Sequence, residues 1–216
     1  MTPLIRNLEL SDALIVNIST ASQLKKIDAK TSKVFCKESL SKEEIESLYQ
    51  ETAGLNPIYG KIIAISVGNW KDGEYKVHTY QGEEVDILRD FIKSVKSRNF
   101  KMVLYNPNFE LPYIRKRFFH HNLQGYLTTG QGMDAGAKPW DLDTVLINLH
   151  NTIKGIGWNN DSLEEVCHLL NIGKGDIDGS EITPLYHKGK IKEIVENSEK
   201  NNVALLNLFL KLQNFK

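Results

Sequence analysis

Apolar positions along this chain recur with two periods, and each change of period marks an element. Residues 13–18, ALIVNI, are a short β-branched run, too brief for a helix, and predict a buried strand. Residues 20–60 are polar and lysine-rich and read as a helical insertion. Its helix begins near Ser41, because Ser-Lys-Glu-Glu is a capping box. Residues 61–69 and 75–81 predict a hairpin through Lys71-Asp72-Gly73, since Asp-Gly is a strong turn signal. Val85, Leu88, Phe91, Ile92 and Val95 then fall at helical spacing over residues 83–98. Met102, Val103 and Leu104 predict a strand, followed by a turn at Asn106-Pro107-Asn108. Next comes a helix opened by Pro112, with Leu111, Ile114 and Phe118 on one side.

Beyond that helix, residues 124–138 read as a glycine-containing loop. Its GQGMDAG run neither follows a strand nor opens a helix, so it lacks the context of a phosphate cradle. Helices are predicted over 140–151, over 162–170 with Asp161 or Ser162 as cap, and over about 190–212. The order is strand, hairpin, helix, strand, helix, then helices. It predicts an α/β layer with a mixed sheet and helices on both faces. Residues 1–216 are read as one domain that includes the 20–60 insertion.

Composition narrows the classes. A chain of 216 residues, 41% hydrophobic and 25% charged, can bury one ordinary core. Lys plus Arg and Asp plus Glu both number 27, so no global field draws it to nucleic acid or a membrane. Cys36 and Cys167 form no CxxC, which argues for a reduced intracellular protein without structural zinc. The first residues, MTPLIRNLELSD, interrupt their apolar positions with Arg6, Glu9 and Asp12. This reads as neither signal peptide nor membrane span, and a cytoplasmic location is expected.

The candidate chemistry lies in polar residues on elements that ought to be buried. Projecting Ile191, Ile194, Val195, Leu205, Leu206 and Phe209 at about 100° per residue puts Ser198 and Asn202 in the inward stripe. On the first strand Asn17 and Ser19 share one face, because side chains alternate. Glu110 arrives on the first turn of a helix directly after a strand. Arg115, Lys116 and Arg117, with His120 and His121, form the only dense basic run. They read either as phosphate contacts with Phe118 and Phe119 interleaved, or as a solvated helix face. Trp70, Trp140 and Trp158 read as packing groups. Asp176-Ile177-Asp178-Gly179 reads as a turn or helix lead-in, its glycine being misplaced for a calcium loop.

In series, LIVNIST, NPIYGKIIAISVG, LYNPNFELPYIRKR, KPWDLDTV, SLEEVCHLLNIGKGDIDGSEI and IVENSEKNNVALLNLFLKL resemble the motifs of a known family. These are the predicted 3'-5' exonucleases related to the proofreading domain of family B DNA polymerases, within the ribonuclease H-like DEDD nucleases. The resemblance implies a ribonuclease H-like α/β fold. It also implies phosphodiester hydrolysis by two divalent ions held by four carboxylates, with a tyrosine, or a histidine in a sister branch, as base. Matched residue by residue, Asn17 and Ser19 stand for the first Asp and Glu. Glu110 stands for the second-motif Asp, Asn202 for the third, Ser198 for the Tyr and Asn197 for the His position.

Only Glu110 keeps a charge and stands as a metal ligand, and one carboxylate cannot offset two Mg²⁺ ions. Two-metal hydrolysis is therefore expected to be lost or strongly weakened. No tightly bound cofactor is expected, with Mg²⁺ or Mn²⁺ serving any residual activity. The expected partner is single-stranded DNA or RNA, with no membrane. The competing readings are an active exonuclease with rearranged ligands, drawing on Glu199, and a structural or protein-interaction domain. On the structural side, Glu110 would complement the positive end of its helix. Asn17, Ser19, Ser198 and Asn202 would hydrogen-bond one another where charges once sat.

Overall fold

Strand β1 (Ala13–Ser22) lies mid-sheet, and its neighbours account for its apolar run. β2 (Gly60–Lys71) pairs with it antiparallel on one side, and β4 (Lys101–Leu104) pairs parallel on the other. β3 (Glu74–Gln81) extends the sheet antiparallel beyond β2, and β5 (Leu146–Asn148) extends it parallel beyond β4. The spatial order is β3-β2-β1-β4-β5. This computed structural model describes residues 3–35, 40–96, 100–123, 146–154 and 161–214.

The helices described are α1 (Pro3–Asn7), α2 (Ala29–Phe35), α3 (Lys42–Thr52), α4 (Glu84–Lys96) and α5 (Pro107–His120). They continue as α6 (Leu149–Lys154), α7 (Leu163–Leu169), α8 (Gly179–His187) and α9 (Ile191–Gln213). Capping boxes start three of them, from Ser41 with Glu44, Ser162 with Glu165 and Asp178 with Glu181.

Both faces of the sheet are covered. Leu14 and Val16 of β1 join Ile65, Met102 and Leu104 beneath Leu88 and Phe91 of α4 and Ile114 and Phe118 of α5. Ala13 and Ile15 point the other way, joining Val103 and Ile147 against Leu205 and Phe209 of α9. A strand buried on both faces loses the apolar-polar alternation of a half-exposed one, which is why ALIV is continuous. Ala21, Ile63, Ile182 and Ile194 make a smaller cluster that seats α8. A five-stranded mixed sheet with helices on both faces is the expected ribonuclease H-like α/β arrangement.

Several boundaries differ from expectation. β1 runs four residues past Ile18, because its ladder with β2 continues through an irregularity at Ser19/Thr20 to Ser22 opposite Gly60. Pro107, not Pro112, opens α5 at a position whose missing N–H would have no helical partner. Pro112 sits inside that helix. The helix expected over 140–151 is replaced from Leu146 by β5, and helix begins only at Leu149. Three residues are too few to show a period, and their strand state comes from pairing Met102 with Leu146 and Leu104 with Asn148. α1, α2 and α8 are additional helices, and Asp178 opens α8 as the expected lead-in. Asp72 and Gly73 both have positive φ, 56° and 81°, the backbone that a two-residue hairpin turn requires. The loop at 124–138, Asp143-Thr144, Cys36, Trp140 and Trp158 lie outside the described residues.

Candidate functional site

Register places one polar row across three strands. Asn17 of β1 lies opposite Ser66 of β2, and Ser66 lies opposite Thr79 of β3. Directly paired residues share a face, and this is the face on which α9 packs. α9 answers with polar groups of its own. Ser198 and Asn202, one turn apart, are both fully buried, as the apolar stripe predicts.

Asn17 Nδ2 donates to Ser198 Oγ at 3.0 Å, Ser198 Oγ donates to Ser66 Oγ at 3.0 Å, and Ser66 Oγ donates to the Ser198 carbonyl at 3.1 Å. Asn202 Nδ2 donates to the carbonyls of Ile15 and Ser66, both at 3.1 Å. The hydroxyl of Tyr75 donates to Asn202 Oδ1 at 2.5 Å, and burial pushes that phenol's pKa far up, so it remains a donor. Gly68 lies beneath this contact, and a Cβ there would overlap both Tyr75 Oη and Asn202 Oδ1. Gly68→Ala is therefore expected to lower stability by about 1–3 kcal/mol in chemical denaturation. An unchanged midpoint would refute the close seating.

At the far end of β1 a cavity of about 200 Å³ opens, lined by Asn17, Ser19 and Thr20 together with Leu55, Phe109, Ile177, Asn197 and Asn201. Asn197 is held by Ile177, taking its N–H at 3.0 Å, while Asn201 Oδ1 takes the Gly175 N–H at 3.0 Å. Phe109 reaches the cavity, but Glu110 beside it does not line it. Glu110 is buried, its carboxyl accepts the N–H of Asn106 at 3.1 Å, and burial raises its pKa to about 8. Of the five positions matched to the four carboxylates and the tyrosine, the structure thus joins Asn17 to Ser198 directly, joins Asn202 to the same lattice through Ser66, and puts Ser19 beside Asn17 at the cavity. Glu110 stands apart from that lattice, bonded at the start of its own helix.

Glu199 accepts from Thr79 Oγ1 at 3.0 Å and faces a groove lined by Val77, Lys174 and Val203. Arg117 is a correction to the basic run. Its side chain is 3% exposed and its guanidinium bonds Glu84 Oε1 at 2.8 Å, Glu84 Oε2 at 2.6 Å and the Pro57 carbonyl at 3.0 Å. The reason is helical phase: Arg117 lies on the inward side of α5 with Ile114 and Phe118. Lys116 is exposed and Arg115 half-exposed, so these two remain available to a phosphate.

Residues 54–216 match the family model described as "Predicted 3'-5' exonuclease related to the exonuclease domain of PolB". The chain belongs to that family. No curated protein matches it. As a member of the exonuclease-like family, it would be expected to hold Mg²⁺ or Mn²⁺. Among the described residues, however, no group of three or more His, Cys, Asp or Glu side chains is placed to hold an ion. The donor set does not fit two hard cations: Asn202 has both nitrogen and oxygen engaged, Ser198 is sealed, and Glu110 is a carboxyl that burial favours as neutral. The matched stretch begins after β1, so for this exonuclease-like chain the roles of Asn17 and Ser19 rest on strand position alone. Ser66 and Tyr75 complete the lattice and were not singled out from sequence. The available signal was Ser66 within the otherwise apolar IIAISV run.

Proposed function

We propose that this exonuclease-like chain binds single-stranded DNA or RNA and has lost two-metal phosphodiester hydrolysis. The carrying observation is the bonding of Asn202, which the motif resemblance matches to the third carboxylate and whose amide is committed to Ile15, Ser66 and Tyr75. With serine at 198, the position matched to the tyrosine, that position offers no base to take a proton from an attacking water. Rearranged ligands gain no support from Glu199, which is bonded to Thr79 over β3. Binding is supported by family membership and by the cavity itself, where Phe109 and Leu55 offer apolar surface beside the Asn17 and Ser19 side chains. Arg115 and Lys116 supply charge on α5, the helix that carries Phe109, for a backbone phosphate.

The test uses purified protein with end-labelled single-stranded DNA and RNA in Mg²⁺ or Mn²⁺. No shortening is expected, together with salt-dependent binding whose slope falls by roughly 1 in the Arg115→Ala/Lys116→Ala variant. Metal-dependent cleavage abolished by Glu110→Ala would overturn the loss of hydrolysis. Absence of binding at low ionic strength would overturn the nucleic-acid reading in favour of a structural or protein-interaction domain.

A further inference from the structure

We infer that Asn17 and Asn202, two of the positions matched to metal ligands, have become with Ser198 an amide-dependent bolt between α9 and the sheet, so that carboxylates put back at these two positions weaken the fold and recruit no ion. The inference rests on hydrogen-bond directions and is read out as stability, so it stands or falls separately from nucleic-acid binding and hydrolysis.

Asn202 sets the direction. Its side-chain nitrogen has two hydrogens, and two carbonyl oxygens, those of Ile15 and Ser66, lie at 3.1 Å to receive them. Its oxygen takes the Tyr75 hydroxyl. Every atom of the amide is matched, in a side chain with no exposed surface. A carboxylate of the same shape has no hydrogen to give. One of its oxygens would face two carbonyl oxygens at hydrogen-bond distance, and both carbonyls would lose their donor. Asn at 202 is thus a donor that the strands require, and charge there is opposed by the backbone itself.

Ser198 fixes the neighbouring turn in the same way. Its hydroxyl accepts from Asn17 and donates to Ser66, again without exposed surface. The larger phenol of the family motif would have to displace both partners. The substituted residues are therefore interdependent, each shaped to the others, which a single inactivating change would not produce.

The experiment compares thermal unfolding of the full chain and its variants, with and without Mn²⁺. Asn202→Asp is expected to lower Tm by about 5 °C or more near neutral pH. Its deficit against the parent should grow between about pH 5 and about pH 8. The sign follows from the introduced carboxyl, whose folded pKa is raised: the neutral form can still donate one hydrogen, and stability is lost as pH rises from the unfolded value. Asn202→Ala removes the same bonds without a charge, and its deficit should stay constant over that range. Asn17→Asp/Ser19→Glu, on the cavity side, is expected to show no Mn²⁺-dependent rise in Tm.

Parent-like stability of Asn202→Asp at about pH 8, or a deficit that does not change with pH, would overturn the bolt. An EDTA-reversible rise in Tm with Mn²⁺, in either carboxylate variant, would overturn the exclusion of metal. If Asn202→Asp fails to fold while Asn202→Ala folds, the result supports the bolt. If both fail, Asn17→Asp, which removes the donor to Ser198 Oγ, decides: a lowered Tm supports the bolt and a parent-like Tm overturns it.

Discussion

Arg117→Ala is expected to lose about 3–5 kcal/mol of folding stability, a fall in Tm on the order of 10 °C for a chain of this size. Arg117 and Glu84 have side chains only 3% and 6% exposed, and their pairing joins α5 to α4. Glu84 also takes the Ile62 N–H at 2.6 Å, and His121 Nε2 lies 2.7 Å from it, so the start of β2 hangs on the same carboxylate. Burial alone would push the Glu84 carboxyl up. The hydrogen bonds from Arg117, His121 and Ile62 outweigh it and hold the pKa below the ordinary value.

Removing the guanidinium leaves a buried carboxylate short of its main counterion, and the Pro57 carbonyl without its donor. Glu84→Gln combined with Arg117→Met is expected to recover most of the loss, since no charge then remains to be compensated. Because the folded pKa of Glu84 is depressed, its contribution is present above about pH 4.3 and fades as pH falls through the lower folded value. Thermal melts of the single and double variants check this. A single variant within about 2 °C of the parent would refute the assignment of Arg117 to the core.

Glu110→Gln is expected to raise stability. The Glu110 carboxyl is buried, with the Asn106 N–H as the one hydrogen bond that opposes its rise from the ordinary 4.5 to about 8. A raised carboxyl pKa costs nothing below the unfolded value. The cost then grows as pH rises toward the folded one, reaching about 3 kcal/mol near pH 7. Glutamine keeps an oxygen for the Asn106 N–H and has no proton to lose at these pH values. The variant and parent should therefore melt together near pH 4 and separate progressively toward pH 8, the variant higher by several degrees. A parent more stable than Glu110→Gln at pH 8 would mean that the carboxylate is favoured in the fold, reopening Glu110 as an ion ligand.

Much of this was legible in the chain because the relevant signals are local. ALIV reads as a buried strand, Asp72-Gly73 as a hairpin, Ser41 as a cap, Asp161 or Ser162 as another, and the stretch at Asp178 as a turn or helix lead-in, each from a few adjacent residues. The inward phase of Ser198 and Asn202 was equally readable, since α9 is long enough for its period to be unambiguous. What escaped depends on partners far along the chain. Leu146–Asn148 becomes a strand only because β4 offers an edge. Ser66 matters only because register places it between Asn17 and Thr79. Arg117 looked like one more cation in a basic run, and only Glu84, 33 residues away in sequence, explains its burial. The inward polar positions Ser198 and Asn202 were thus legible, while the hydrogen-bond directions that join them to the sheet were not.

The lattice beneath α9 also bears on how the chain reaches its native state. The Asn17–Ser198 and Asn202–Ile15 bonds connect residues 181 and 187 positions apart. Closing a loop of that length carries an entropic cost of roughly 5 kcal/mol before any contact compensates it. Residues that must find such distant partners pair slowly. Until the last helix docks, Ala13, Ile15 and Val103 present an apolar sheet face without Leu205, Leu208 and Phe209, the α9 side chains that pack with them. The interval before that docking is when the chain is most prone to self-association. Refolding yield should accordingly fall with protein concentration more steeply in Asn202→Ala than in the parent.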